Sequence, residues 1–253
     1  MRRAIIVLAS MLLWVAGAAA ANAQSSDTSR VHLGPPEGGA DAFVAWPSGK
    51  AAAPGIVVVQ EWWGLNAQIR DVARRLAKEG YVAIVPDLYH GKVTTDPEQA
   101  HVLLRGLESD VALRDLGNAV TWLRAEPRVG KKRIGVVGFC MGGGLAQALA
   151  LNNSEISAVV MFYGLTATDA KSLAALHGPL QGHFGELDDG IPIAKVEELR
   201  AGLKQAGKSG EVYLYSGAGH AFMNDTRPSY HPDAARQGWA RMLAFFQKNL
   251  RRS

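Results

Sequence analysis

Short apolar runs alternate along this chain with longer segments in which apolar residues recur every three or four positions. Several of the runs are rich in β-branched residues, and 54–60 is almost continuously apolar, as in strands that are covered on both faces of a sheet. The pattern predicts strands at 41–46, 54–60, 81–85, 158–162, 180–184 and 211–215, with a further strand directly after Arg133.

Helical spacing of apolar residues predicts the segments between these strands. Ile69, Val72, Ala73 and Leu76 form one apolar face, and Gly80 is placed to end that helix. Asp96 and Pro97 are typical of a helix start, and further helices are predicted around 113–123, 145–151, 192–207 and 239–250. Strands that alternate with helices predict a single α/β domain, with a mostly parallel sheet and helices on both faces.

The first 23 residues have a different character. Arg2 and Arg3 precede an apolar segment, 4–20, and the small residues of 21–23 suit a cleavage site. We expect a signal peptide at 1–23, a polar linker at 24–30 and the domain at 31–253, in a protein exported to the periplasm or secreted. Two alternatives are the twin-arginine route and a retained membrane anchor, for which the apolar segment is short.

Charge excludes one class of partner. The chain has 27 Lys and Arg against 23 Asp and Glu. Removal of Arg2 and Arg3 leaves 25 against 23, a net charge of +2, and the basic residues are spread among acids along the chain. The sequence therefore does not predict binding to nucleic acid, and we expect a monomer whose partner is a small molecule.

Cys140 is the one cysteine of the chain. It cannot form an internal disulfide, which is unusual in an exported protein and favours a reactive thiol. It stands in Gly138-Phe139-Cys140-Met141-Gly142, at the end of a predicted strand and before a predicted helix. This matches the G-x-S-x-G nucleophile elbow, with cysteine in place of serine. The alternative is a buried cysteine that serves as a small apolar side chain.

Two further motifs follow predicted strands, where ligands bind in parallel sheets. Asp188 lies in Gly185-Glu186-Leu187-Asp188-Asp189-Gly190, and His220 lies in Gly217-Ala218-Gly219-His220. The order nucleophile, acid, base is that of α/β-hydrolases. His220 would take the thiol proton, and a carboxylate would orient its ring. Asp188 is preferred for that carboxylate, ahead of Asp189 and then Asp225.

The other histidines lie outside such motifs, and we expect them at the surface or in local hydrogen bonds, with His90 a candidate to line a pocket. They are His32, His90, His101, His177, His183 and His231. The chain has no H-E-x-x-H pattern and no G-x-G-x-x-G after a strand. We therefore expect neither a metal nor a cofactor.

Five segments together resemble the dienelactone hydrolase family of α/β-hydrolases, from about Gly55 to the last predicted helix. They are Gln60-Glu61-Trp62-Trp63-Gly64-Leu65-Asn66, Pro86-Asp87-Leu88-Tyr89, the cysteine and aspartate segments above, and Ala218-Gly219-His220-Ala221-Phe222. The resemblance implies the α/β-hydrolase fold and a triad of Cys140, Asp188 and His220. It also implies that Glu61 lies near the thiol and helps to activate it, and that the N–H groups of Trp62 and Met141 form the oxyanion hole.

The chain departs from the family where the substrate is recognised. Members that act on dienelactone resemble one another in two arginines that bind the substrate carboxylate, one soon after the Pro-Asp-Leu-Tyr segment and one shortly after the catalytic histidine. Lys92 and Arg227 are candidates to replace them, although neither is at the matching position, and lysine lacks the arginine fork. The aromatic residues Trp63, Tyr89, Tyr163 and Phe222 are further candidates to line the pocket.

The sequence thus favours an exported thiol hydrolase that opens a lactone or small carboxylic ester through a thioacyl intermediate. A general short-chain carboxylesterase is the first alternative. A thiol redox protein is another, although no second cysteine is present to resolve a sulfenic acid. A binding module without catalytic activity on the same fold is the last, since a fold does not dictate function.

Overall fold

The computed structural model describes residues 27–251 and contains one eight-stranded sheet. The strands are β1 Asp27–Leu33, β2 Ala40–Trp46, β3 Gly55–Val59, β4 Val82–Pro86, β5 Ile134–Phe139, β6 Ile156–Phe162, β7 Leu180–Gly185 and β8 Gly210–Tyr215. Their order across the sheet is β1-β2-β4-β3-β5-β6-β7-β8. β1 and β2 pair antiparallel with their neighbours and all other pairs are parallel. The predicted, mostly parallel sheet is confirmed.

Residues 27–251 form seven helices, most of which pack on the sheet. They are α1 Ala67–Lys78, α2 Pro97–Arg105, α3 Ser109–Ala125, α4 Met141–Asn152, α5 Ala170–Leu173, α6 Ile193–Gln205 and α7 Pro232–Leu250. The side chains of α1 and α7 pack on one face of the sheet, and those of α3, α4 and α6 on the other. β3 is apolar throughout because its side chains enter both cores. Val57 and Val59 enter one core, and Ile56 and Val58 enter the other. The prediction of helices on both faces is confirmed.

β1 is a correction to the predicted linker at 24–30, because residues 27–30 form the first half of this strand. β1 lies at the edge of the sheet, and most of its residues are exposed or half-buried. An edge strand of this kind lacks the apolar alternation by which strands are recognised. The predicted signal peptide and residues 24–26 lie outside the described residues.

Within 27–251, no helix has both the length and the apolar character needed to cross a bilayer.

His183 lies inside the fold and not at the surface. It is fully buried in β7, and its ring stacks on Phe162 with the centroids 4.3 Å apart. Its Nδ1 is 2.7 Å from the Tyr215 hydroxyl and its Nε2 is 2.9 Å from Oε1 of Gln181. Burial disfavours the imidazolium and nearby Arg241 adds repulsion, so the pKa of His183 is lowered to about 3. Both ring nitrogens have partners, and the neutral ring is part of the core.

This buried histidine should make the fold sensitive to acid. The folded-state pKa is below the ordinary value of 6.5, so the unfolded state binds the proton more tightly, and the contribution of His183 to stability declines as the pH falls from about 6.5 towards 3. We expect a loss of about 2 kcal/mol between pH 7 and pH 5 from this residue. Urea unfolding of the wild type and His183→Gln at both pH values measures it. An equal pH dependence in the two proteins would contradict the assignment.

Candidate active site

Cys140 lies at a sharp turn between β5 and α4. Its backbone has φ 55° and ψ −122°, and φ values in this region are rare for residues other than glycine. A Cβ on Gly138 would stand 1.8 Å from the carbonyl oxygen of Gly142, and one on Gly142 would stand 2.4 Å from that of Gln60. The two glycines therefore allow β3, β5 and α4 to approach closely enough to hold the cysteine in this strained conformation.

The backbone around Cys140 leaves N–H groups free for a ligand. Met141 is the first residue of α4, and the first N–H groups of a helix have no partner within it. Trp62 lies in the turn after β3, and no backbone acceptor within 27–251 receives its N–H. Met141 follows Cys140 directly, and Trp62 lines the same cleft as Cys140.

Asp188 and His220 are hydrogen-bonded to each other at the carboxyl ends of β7 and β8. Oδ2 of Asp188 is 2.8 Å from Nδ1 of His220. Oδ1 of Asp188 accepts hydrogen bonds from the N–H groups of Gly190 at 2.9 Å and Ile191 at 3.1 Å. Asp188 is only 4% exposed, whereas Asp189 points into solvent. The structure thus shows which of the two neighbouring aspartates contacts His220, whereas the sequence only favours one over the other.

The histidine of this pair also interacts with Cys140. Burial disfavours the imidazolium of His220, but the hydrogen bond to Asp188 and the nearby side chain of Cys140 outweigh this effect. The pKa of His220 is raised to about 10. A proton that leaves the thiol is therefore well accommodated on the imidazole ring.

Glu61 is a buried carboxylate beside these residues, and neutral donors hold both of its oxygens. The Tyr163 hydroxyl donates to Oε1 at 3.1 Å, and the Asn224 amide donates to Oε2 at 2.6 Å. Burial raises the pKa of Glu61, while the bonds from Asn224 and Tyr163 and the charges of His220 and Arg227 counteract this rise. Sequence reasoning missed Asn224, although it stands four residues after His220 and three before Arg227.

A cleft of about 620 Å³ joins the reactive groups. Its lining is mainly apolar and consists of Glu61, Trp62, Trp63, Leu104, Cys140, His220, Ala221, Arg227, Pro228 and Ser229. The guanidinium of Arg227 lies 3.5 Å from the ring centroid of Trp63, a cation–π arrangement that fixes the charge at the cleft wall. Leu104 and Pro228 carried no chemical signal in the sequence, because apolar lining residues look like any other apolar residues.

The other four residues predicted to bind the substrate do not line this cleft. Lys92 is exposed and lines a separate cavity with α2, so the structure does not bring it to Cys140. The Tyr89 hydroxyl contacts Sδ of Met141 at 3.4 Å. Tyr163 and Phe222 are buried, and their rings pack against each other with centroids 5.3 Å apart. Of the six candidates, Trp63 and Arg227 line the cleft, while Tyr163 acts behind it by holding Glu61.

Among residues 27–251, no three acidic, histidine or cysteine side chains are arranged to hold a metal ion.

The chain is similar in sequence to proteins of one hydrolase family. Residues 40–250 match the sequence profile of the dienelactone hydrolase family. A protein of Escherichia coli O157:H7 named "Putative carboxymethylenebutenolidase" is 39% identical over 211 residues, which cover 77% of each chain. A Bradyrhizobium protein named "Probable 2-oxo-3-(5-oxofuran-2-ylidene)propanoate lactonase" is 33% identical over 222 residues, covering 83% of this chain and 89% of its own.

A solved structure leads to the same family. The crystal structure of the "Putative Dienelactone Hydrolase" of Klebsiella pneumoniae superimposes with a TM-score of 0.81 at 32% sequence identity. The match covers 88% of this chain and 99% of the other. The family profile spans most of the chain, several relatives exceed 30% identity over three quarters of it, and the fold agrees. The chain is a hydrolase that belongs to the dienelactone hydrolase family.

Proposed function

We propose that this hydrolase opens carboxylate-bearing lactones through a Cys140, Asp188 and His220 triad and a thioacyl intermediate. The observation that carries the proposal is the 2.8 Å contact between Asp188 and His220, because His220 lines the same cleft as Cys140. A histidine oriented by a buried carboxylate and adjacent to a thiol is the arrangement needed for nucleophilic catalysis.

The reaction follows from these contacts. The thiol proton passes to Nε2 of His220, and the sulfur attacks the lactone carbonyl carbon. The negative charge that develops on the carbonyl oxygen is met by the N–H groups of Met141 and Trp62. When this intermediate collapses, the ring C–O bond breaks and the ring oxygen takes the proton from His220, leaving a thioester on Cys140. Water, deprotonated by His220, then attacks the thioester and releases the carboxylate and the thiol.

The cleft supports a flat, apolar acyl group with one anionic substituent. Trp62, Trp63, Leu104 and Pro228 offer apolar surface, and Arg227 offers a cation at the wall. The name of the Bradyrhizobium relative describes a lactone ring that carries a propanoate, which is a substrate of this chemical class. A buried carboxylate without a partner is unfavourable, so Arg227 is the residue on which this specificity depends.

A general short-chain carboxylesterase is the second candidate, favoured by the position of Arg227. Its guanidinium is stacked on Trp63 and interacts with the Glu61 carboxylate. A guanidinium whose charge is already balanced in this way attracts a substrate carboxylate less strongly, and neutral esters would then be preferred.

The N-terminal pattern supports export. Arg2 and Arg3, the apolar segment 4–20 and the small residues at 21–23 have the layout of a secretory signal. We propose that the mature hydrolase acts outside the cytoplasm, and amino-terminal sequencing of the protein recovered from periplasm and medium tests this.

Mass spectrometry of the protein mixed with an activated ester tests the function. Acylation of Cys140, followed by its loss on incubation in water, is the expected result. Oxidation of Cys140 without acylation would instead indicate a redox protein, and an unmodified chain that still binds the ester would indicate a binding module. Because the chain has one cysteine, the site of a thioester is unambiguous.

Arg227→Ala should remove a preference for carboxylate-bearing lactones over their methyl esters. A charge-assisted hydrogen bond contributes about 1.5–3 kcal/mol, which corresponds to a tenfold to hundredfold preference in kcat/KM. Steady-state kinetics on a matched pair of substrates measures it. Lys92→Ala is the control, because Lys92 lines a different cavity and should leave the ratio unchanged. Preference for the methyl ester in wild type and both variants would favour the general esterase.

A further inference from the structure

Asn224 is a buried polar residue in the turn between β8 and α7, and it has no role in the proposed triad. It is completely buried, and its backbone N–H donates to the carbonyl oxygen of Ala221 at 3.0 Å. Its side-chain amide reaches across 163 positions of sequence to Oε2 of Glu61 at 2.6 Å. A polar side chain in this position needs a hydrogen-bond partner, and the partner it has is the carboxylate beside the nucleophile.

Thr226 determines which end of the Asn224 amide faces Glu61. The Thr226 hydroxyl donates to Oδ1 of Asn224 at 2.6 Å, and the Thr226 N–H donates to the same oxygen at 3.1 Å. A flipped amide would set its NH₂ group against the backbone N–H and its oxygen against the carboxylate, and both contacts would be repulsive. The NH₂ group therefore faces Glu61.

We propose that Asn224 is a positioning residue for Glu61, and that Thr226 acts through it by fixing the orientation of its amide. The proposal rests on the function proposed above, in which Cys140 is the nucleophile of the cleft that Glu61 also lines. An amide NH₂ group only donates, so it stabilises Glu61 as an anion and cannot accept a proton from it. The hydroxyl of Tyr163 can rotate and accept, and it discriminates less between the two forms.

The surroundings of Glu61 make this contact important. The groups that face the carboxylate are Asn224, Tyr163, His220 and Arg227, and Cys140 lines the same cleft. Burial favours the neutral acid, while the two hydrogen bonds and the two cations favour the anion. When Asn224 is removed, one carboxylate oxygen loses its donor in a site that water reaches poorly.

Direct titration of Glu61 tests the proposal without any substrate. Protein labelled with ¹³C at the glutamate carboxyl group is followed by NMR across pH, and the Glu61 signal is the one absent from Glu61→Gln. In Asn224→Ala we expect the proton affinity of Glu61 to rise about tenfold to hundredfold. Asn224→Asp, which has nearly the same size, should raise it further because two carboxylates then face each other.

Thr226 supplies a matched pair of variants at an exposed position, where loss of folding is not a concern. Thr226→Val removes the hydroxyl donor to Asn224 and should raise the proton affinity of Glu61 by a smaller factor. Thr226→Ser keeps the donor and should behave as the wild type. An unchanged Glu61 titration in Thr226→Val and in folded Asn224→Ala would overturn the proposal.

Enzyme activity is the second readout. It distinguishes a failure of the proposal for Asn224 from a failure of the proposed function. In Asn224→Ala, the acidic limb of the kcat/KM profile should move to higher pH, and activity should partly recover at alkaline pH. A loss by the same factor at every pH would mean a merely structural role. In Glu61→Gln, the further change Asn224→Ala should cost nothing, and two additive losses would contradict coupling through Glu61. If no ester is hydrolysed by the wild type, the proposed function fails while the NMR titration still decides the role of Asn224.

Discussion

Cys140→Ala should lose ester hydrolysis by roughly 10⁴-fold to 10⁶-fold while keeping the fold. Alanine has no group that can form a covalent intermediate. The residual activity would come from the oxyanion donors and from substrate binding alone. Cys140→Ser should also lose most of the activity, because the serine oxygen is smaller than sulfur and holds its proton far more tightly. Steady-state rates with one activated ester, compared across the three proteins, measure the effect.

The fold is the necessary control for these variants. Cys140 is half-buried and makes no disulfide, so its replacement by a residue of similar or smaller size should change stability by about 1 kcal/mol or less. Alanine and serine meet the same strain at φ 55° as cysteine does. Unfolding transitions close to that of the wild type would exclude collapse as the cause. Wild-type rates in Cys140→Ala would show that Cys140 is not the nucleophile.

Much of the fold could be predicted because buried strands and helices have characteristic patterns of apolar residues in the sequence. β3 and β5 are apolar on both faces, and the apolar stripe of α7, with Met242 and Phe246, covers one core. The candidate nucleophile could be predicted as well. The glycines at 138 and 142 are required by contacts of 1.8 and 2.4 Å that no side chain could occupy, and such positions are visible in sequence as a fixed spacing.

Contacts that are distant in sequence could not be predicted in this way. Glu61 and Asn224 are 163 positions apart, and neither residue type indicates its partner. His183 looked like any other polar residue, because only the packing of β7 against β8 shows that its ring nitrogens are satisfied inside the core. The position of Arg227 over Trp63 likewise depends on how the loop after β8 folds back over the turn after β3.

The choice between the two neighbouring aspartates is another such case, and the geometry gives it a physical basis. Both carboxylates follow β7, and sequence spacing cannot decide which one faces the histidine. Asp188 is turned inward because its Oδ1 caps the N–H groups of Gly190 and Ile191, which leaves Oδ2 directed at His220. The loop thereby fixes one carboxylate at the base and leaves Asp189 in solvent.

Asp188→Asn should therefore reduce turnover by about 10⁴-fold, and Asp189→Asn by no more than about twofold. In the Asp188→Asn variant the amide oxygen would stay with the two loop N–H groups, so the amide NH₂ group would face Nδ1 of His220. The ring would then carry its proton on Nε2, the nitrogen that has to accept the thiol proton, and the imidazolium would lose its counter-charge. Rates of acylation and unfolding midpoints of both variants measure the effect, and Asp189→Asn serves as the matched control. The opposite ranking, with both variants folded, would move the orienting carboxylate from Asp188 to Asp189.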